Sequence, residues 1–140
     1  YLPLLSKTTF QYDSSIHPTY VPGRYCDIFK NRKIHKKGNL IEIPLSTLPI
    51  IRFPIFWFAF RNFGLNYAKI FTKLNFLSSN YTMLLFHSWE FANISKFQIP
   101  KYIKRNSGKK LSKMLEEYIL FCLRNKYKFK TIEEYLNLYK

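Results

Sequence analysis

Acidic residues are scarce in this chain. Eight Asp and Glu face 23 Lys and Arg over 140 residues, a formal charge of +15. Cysteine is scarcer: Cys26 and Cys122 stand far apart and form no CxxC or zinc-type spacing, so they neither mark a metal site nor fix the redox compartment. There is no internal repeat, no low-complexity tract and no secretory signal pattern at this N-terminus. Long apolar runs are also missing. The most apolar stretch, Leu48 to Phe60, contains Arg52 and Pro54 and falls short of the roughly 20 residues that span a bilayer. It reads as part of a buried amphipathic helix, so no transmembrane segment is expected. The chain opens at Tyr1 without Met, and residues 1–140 are expected to form one domain, a fragment of a larger protein.

A charge of +15 invites a nucleic-acid or anionic-membrane partner. The basic residues are scattered, however, and only Lys30 to Lys37 form a modest cluster. Lys, Asn, Ile, Phe and Tyr are abundant together, a compositional source of the charge that needs no partner. The cluster is therefore read as solvated surface and nucleic acid as an unlikely partner, with an RNA- or membrane-surface-binding module as the distant alternative.

Alternation over Phe10 to Asp13 predicts a short strand ending in the turn-forming Asp13, Ser14 and Ser15. Ile16 to Tyr25, with three aromatic or imidazole rings and Arg24, reads as a loop suited to lining a polar cleft. Lys36 to Asn39 is a turn, and Leu40 to Leu45 is a strand closed by Pro44 and Ser46. A helix is expected from about Phe56 to Leu74, weakened at Gly64. Ser107 is expected to cap a helix from Gly108 to about Arg124, with Leu111, Leu115, Tyr118, Ile119 and Cys122 on one face. Tyr127 to Phe129 reads as a short strand. Thr131 to Glu134 has capping-box spacing and opens a last helix through Leu138.

The stretch from Tyr81 to Phe91 organises the rest. Met83, Leu84, Leu85 and Phe86 form a short apolar run that ends in His87 and is bounded by Ser and Asn. That pattern predicts a buried strand of a parallel sheet. In α/β folds, side chains at the C-terminal ends of strands collect around the ligand, so His87 and Asp13 are both candidates.

Four pieces, taken in order, resemble the polysaccharide deacetylases of the NodB-homology type. They are Tyr12-Asp-Ser-Ser-Ile-His-Pro-Thr-Tyr-Val-Pro-Gly-Arg-Tyr25, Leu40-Ile-Glu-Ile-Pro44, Leu84-Leu-Phe-His-Ser-Trp-Glu-Phe91 and Phe129-Lys-Thr-Ile-Glu-Glu-Tyr135. The resemblance implies an α/β fold, the C-terminal part of a distorted (β/α) barrel. It implies metal-dependent removal of acetyl groups from an N-acetylated polysaccharide or glycan precursor. It leaves the compartment open between bacterial cytoplasm and cell envelope. Leu85 and His87 fall on the family's late Leu-x-His, which supplies a pocket residue and the general acid. Asp13 falls on the carboxylate that tunes that acid. Trp89 and Arg24 would contact substrate. The family's metal is commonly zinc. Its ligands, an Asp and a His-x-x-x-His, and its Arg-x-Pro-Tyr motif are not in this sequence, unless Tyr1 ends the latter; no metal ligand is assigned here. Ser88 stands where the family usually has Pro. A non-catalytic carbohydrate-binding remnant of the same fold is the alternative.

Overall fold

The structure is a computed structural model that describes residues 9–137. Tyr1 and the expected end of the last helix at Leu138 lie outside that range. Five short strands come first: β1 Tyr12–Asp13, β2 Tyr20–Val21, β3 Tyr25–Cys26, β4 His35–Lys37 and β5 Leu40–Glu42. The helices follow: α1 Trp57–Ser79, a 3₁₀ turn Ser88–Phe91, α2 Lys101–Lys104, α3 Lys109–Arg124 and α4 Ile132–Leu136.

β5 is the middle strand of a three-stranded sheet. It runs parallel to β1, with Asp13 opposite Glu42, and antiparallel to β4 across the turn at Gly38. β2 and β3 form a separate hairpin where the sequence pattern indicated only a loop. Leu40 is buried on β5, and Ile43 and Leu45 carry the apolar side beyond it.

Residues 81–87 make no strand, and the reason is local. The odd-numbered amides of the β5 segment serve β1 and its continuation: Ile43 N–H donates to Asp13 O, and Leu45 N–H to Ile16 O. The alternate edge beyond β5 faces residues 81–83, and there Pro44 has no N–H to give. Side chains replace the ladder. Tyr81 Oη donates to Pro44 O at 2.9 Å, and Ser46 Oγ accepts from Met83 N at 2.8 Å. The segment still runs alongside 44–46 in the same direction, but as an extended, half-buried strap. Asn75, buried on α1, holds its start by donating to Tyr81 O at 2.7 Å. Residues 127–129 likewise form no strand.

α1 spans more than the expected Phe56 to Leu74 and is broken at Gly64, whose φ of 83° and ψ of −176° are open essentially to glycine alone. Asn80 closes the helix in the left-handed conformation, its N–H returning to Phe76 O. α3 keeps the expected stripe, with Leu111, Tyr118 and Cys122 buried, while Ile119 at the edge is partly exposed. The core lies between α1 and α3 and is built from Ile55, Phe60, Ala68, Phe71, Leu111, Tyr118 and Cys122. Full burial of Phe60 and Phe71 stabilises this seam by roughly 1.5–3 kcal/mol per ring. The Tyr118 hydroxyl meets its buried-polar requirement on Thr72 Oγ1 at 2.6 Å, and burial raises its pKa. At the start of α3 the cap is Gly108 (φ 65°), and Ser107 Oγ instead donates to Lys104 O. Thr131 and Glu134 form the reciprocal cap that their spacing predicts.

Candidate functional site

His87 ends the extended strap and is the residue before the 3₁₀ turn. Its carboxylate partner is Glu90, three residues on. Glu90 Oε1 accepts from the His87 backbone N–H at 2.7 Å and from Nδ1 at 2.9 Å. That contact assigns the ring proton to Nδ1 and leaves Nε2 for a ligand. Glu90 is fully buried, whereas the His87 side chain is 45% exposed. An exposed imidazole is thus anchored on an enclosed carboxylate.

The charge of Glu90 is met from below by Arg61 on α1. Arg61 Nη1 lies 3.4 Å from Glu90 Oε2, and neither side chain touches solvent. Two carbonyls also hold the guanidinium: Nε donates to Arg105 O at 2.9 Å and Nη2 to Ile103 O. Asn106 returns a bond to Arg61 O. Trp57 and Trp89 flank the guanidinium at 5.7 and 5.6 Å from their ring centres. The same indoles border His87, Trp57 edge-on at 5.8 Å and Trp89 stacked at 5.9 Å. Two further contacts set this cluster in place. Trp57 N–H donates to Leu85 O, fixing the first residue of α1 to the strap. Gly108 N–H donates to Glu90 O at 2.8 Å, fixing the 3₁₀ turn to α3.

Asp13 is not the partner of His87. It ends β1, as its sequence position predicts, but its Oδ1 accepts from Ser14 N and Ser15 Oγ. Its strand neighbour is Glu42, whose Oε1 accepts from Ile16 N at 3.0 Å. Burial pushes the Glu42 carboxyl above its usual range; the Ile16 N–H opposes that shift and the Asp13 charge adds to it. Asp13 Oδ2 and Glu42 Oε2 are both buried without hydrogen-bond partners among the described residues. The expected acid–histidine pair is therefore two separate features. Ser14, next to Asp13, reaches the strap by donating to the Met83 sulfur at 3.3 Å, four residues back from His87.

Of the other sequence candidates, Leu85 and Trp89 stand at the His87 cluster. Arg24 is exposed at the turn of the β2–β3 hairpin. The hairpin reaches the cluster through rings: His17 stacks on Tyr25 at 4.4 Å, Tyr25 meets Phe56 edge-on, and Phe56 meets Trp57. Burial holds the His17 imidazole below its usual pKa, with Asp27 opposing. Sequence reasoning missed Glu90, Arg61 and Trp57. The first had a signal, since His87-x-x-Glu90 is the spacing of a reciprocal cap. Arg61 had none in an apolar helix, because its burial depends on carbonyls over 40 residues away.

A separate cavity of about 500 Å³, lined by Phe76, Tyr118, Cys122 and Tyr127 among others, does not include His87. Among the described residues no helix is long and apolar enough to cross a membrane, and no three His, Cys, Asp or Glu side chains gather to hold a metal ion. No family model, curated protein or solved structure matches this chain.

Proposed function

We propose that this chain carries the proton-donating part of a hydrolytic site that removes acetyl groups from an N-acetylated polysaccharide or glycan precursor, with His87 as general acid. The observation that carries the reading is the half-exposed His87 ring held at Nδ1 by the enclosed Glu90 carboxylate and walled by two indoles. Cleaving an amide requires a proton for the leaving nitrogen. An imidazole with Nδ1 fixed presents Nε2 in one orientation. Glu90 takes the partner role that the resemblance gave to Asp13. Trp89, with Trp57 behind it, offers an apolar face to a sugar ring or acetyl methyl, and Leu85 and Arg24 complete the proposed substrate contacts.

In the deacetylases that this sequence resembles, a divalent metal, commonly zinc, activates the attacking water. The described residues do not supply its ligands. Under this reading they lie upstream of this sequence, with the remainder of the barrel.

The aromatic wall also favours a second reading, a glycan-binding surface without chemistry. One experiment separates the two. Acetate release from N-acetylglucosamine oligomers is followed with zinc present on the longer protein that carries the upstream metal ligands, since this chain alone is expected to be inactive, beside tryptophan fluorescence as a measure of binding. General acid catalysis contributes about 10²- to 10⁴-fold, so His87→Gln should lower turnover by that order and leave binding nearly unchanged. Binding without acetate release by the wild type selects the second reading. Unchanged turnover in the variant refutes the role of His87.

A further inference from the structure

Two neighbouring turns project apolar side chains into solvent. In the first, residues 49–52, Ile50 is 90% exposed and Ile51 67%. The turn has a tight neck: Leu48 N–H donates to Phe53 O, Arg52 N–H donates to Leu48 O, and Thr47 pairs with Pro54. The second contains Phe29, 96% exposed. Arg52 joins the two, its guanidinium donating to Lys30 O at 3.0 Å. Behind them Phe53 packs edge-on against Phe63 and Tyr67 of α1, so the apolar surface continues onto the helix.

The charges around these tips are basic. Lys30 and Lys33 are exposed and Arg52 is at the joint. Arg32 is the exception in the basic cluster, because its guanidinium is consumed on Thr47 O and Asn75 Oδ1. Asp27, the acid of the same turn, acts electrostatically on His17. The cluster is thus split: Arg32 builds the fold, Lys36 and Lys37 lie on β4, and Lys30 and Lys33 are left exposed beside the apolar tip.

We propose that this face docks on an anionic lipid surface, with Ile50, Ile51 and Phe29 entering the headgroup boundary and Lys30, Lys33 and Arg52 meeting lipid phosphates. Exposed aliphatic tips ringed by cations fit an interface that is apolar below and negative above. Nucleic acid fits less well, because two of the three tip residues are isoleucine, which offers no stacking face to a base, and Phe29 alone could stack. A second copy of the chain would bring a further charge of +15 against the same rim. The proposal is independent of the hydrolytic reading.

The test is co-sedimentation of the 140-residue chain with phosphatidylcholine vesicles, with and without phosphatidylglycerol. Binding should require phosphatidylglycerol and weaken with salt. The double variant Ile50→Ser/Ile51→Ser should bind at least about tenfold more weakly, and Lys30→Gln/Lys33→Gln should lose on the order of tenfold. All four sites are exposed, so thermal melts should match the wild type. Failure to bind phosphatidylglycerol vesicles overturns the proposal. So does equal binding to phosphatidylcholine alone, or isoleucine variants that bind as well as wild type. Tighter binding to single-stranded RNA, lost in the lysine variant and kept in the isoleucine variant, would identify a nucleic-acid face instead.

Discussion

Glu90→Gln keeps the shape of the side chain and removes its charge. In the native site the carboxylate accepts two bonds from His87 and faces Arg61 at 3.4 Å, with both partners of the ion pair out of solvent. At that separation and an effective dielectric of about 20, the gross attraction is about 5 kcal/mol. The variant leaves a guanidinium enclosed without a counter-charge, and losing one member of a buried pair typically costs about 3–5 kcal/mol. The carbonyls of Ile103 and Arg105 still hold Arg61, so the lower end of that range is expected. For a chain of this length such a loss lowers Tm by roughly 10 °C. Urea denaturation followed by circular dichroism measures it. Arg61→Met should cost a similar amount alone. The double variant should cost less than the sum, with a coupling of at least about 1 kcal/mol, because each single change strands the other's charge. A loss below about 1 kcal/mol for Glu90→Gln, or strict additivity, would refute the view that this pair closes the floor of the His87 cluster.

Glu42 gives a pH prediction. Its folded pKa lies above the ordinary 4.5, so between 4.5 and that higher value the native state keeps a proton that the unfolded chain has released. Stability should therefore fall as pH rises through this window, and Glu42→Gln should flatten the slope in a melt series. Gly108→Ala should cost about 1–3 kcal/mol for its positive φ. It should exceed Gly64→Ala, since a Cβ at Gly108 meets Ala92 O at 3.2 Å and one at Gly64 meets nothing within 4 Å. Equal losses in urea titrations would show that the contact is relieved. Phe60→Ala, at a fully buried position in the α1–α3 seam, should cost about 3–5 kcal/mol; a smaller loss would place the cooperative core elsewhere.

Local chemistry was well marked in the sequence. The Gly38 turn, β5, both long helices and the Thr131 cap follow from residue types and spacing within a few positions. What the sequence concealed depends on partners far along the chain. Met83 to Phe86 has the composition of a buried strand, and only its encounter with Pro44 shows that a ladder lacks its donors. Lys101–Lys104 is a single helical turn held partly by its neighbours, Arg61 below and Asn62 through Tyr102 O. For the site, His87, Leu85 and Trp89 were legible because they share one strap. Glu90 was within reach as the last member of a four-residue box. The resemblance instead gives the role of partner to His87 to Asp13. Arg61 was beyond reach: a cation in an aromatic helix acquires its role only when the chain brings two carbonyls and a carboxylate around it.

The strap at residues 81–87 has a consequence for motion. Its amides are not stitched into a sheet, so their protection from hydrogen exchange rests on a few side chains such as Ser46 and Glu90. Opening it would release Tyr81, Asn75 and Ser46 without breaking a strand pair or a turn of helix. The α1–α3 seam, by contrast, opens only with the whole fold. His87 and the start of α1 therefore sit at the end of a segment that no sheet ladder holds. Exchange there should report ligand capture before any change is visible in the helices.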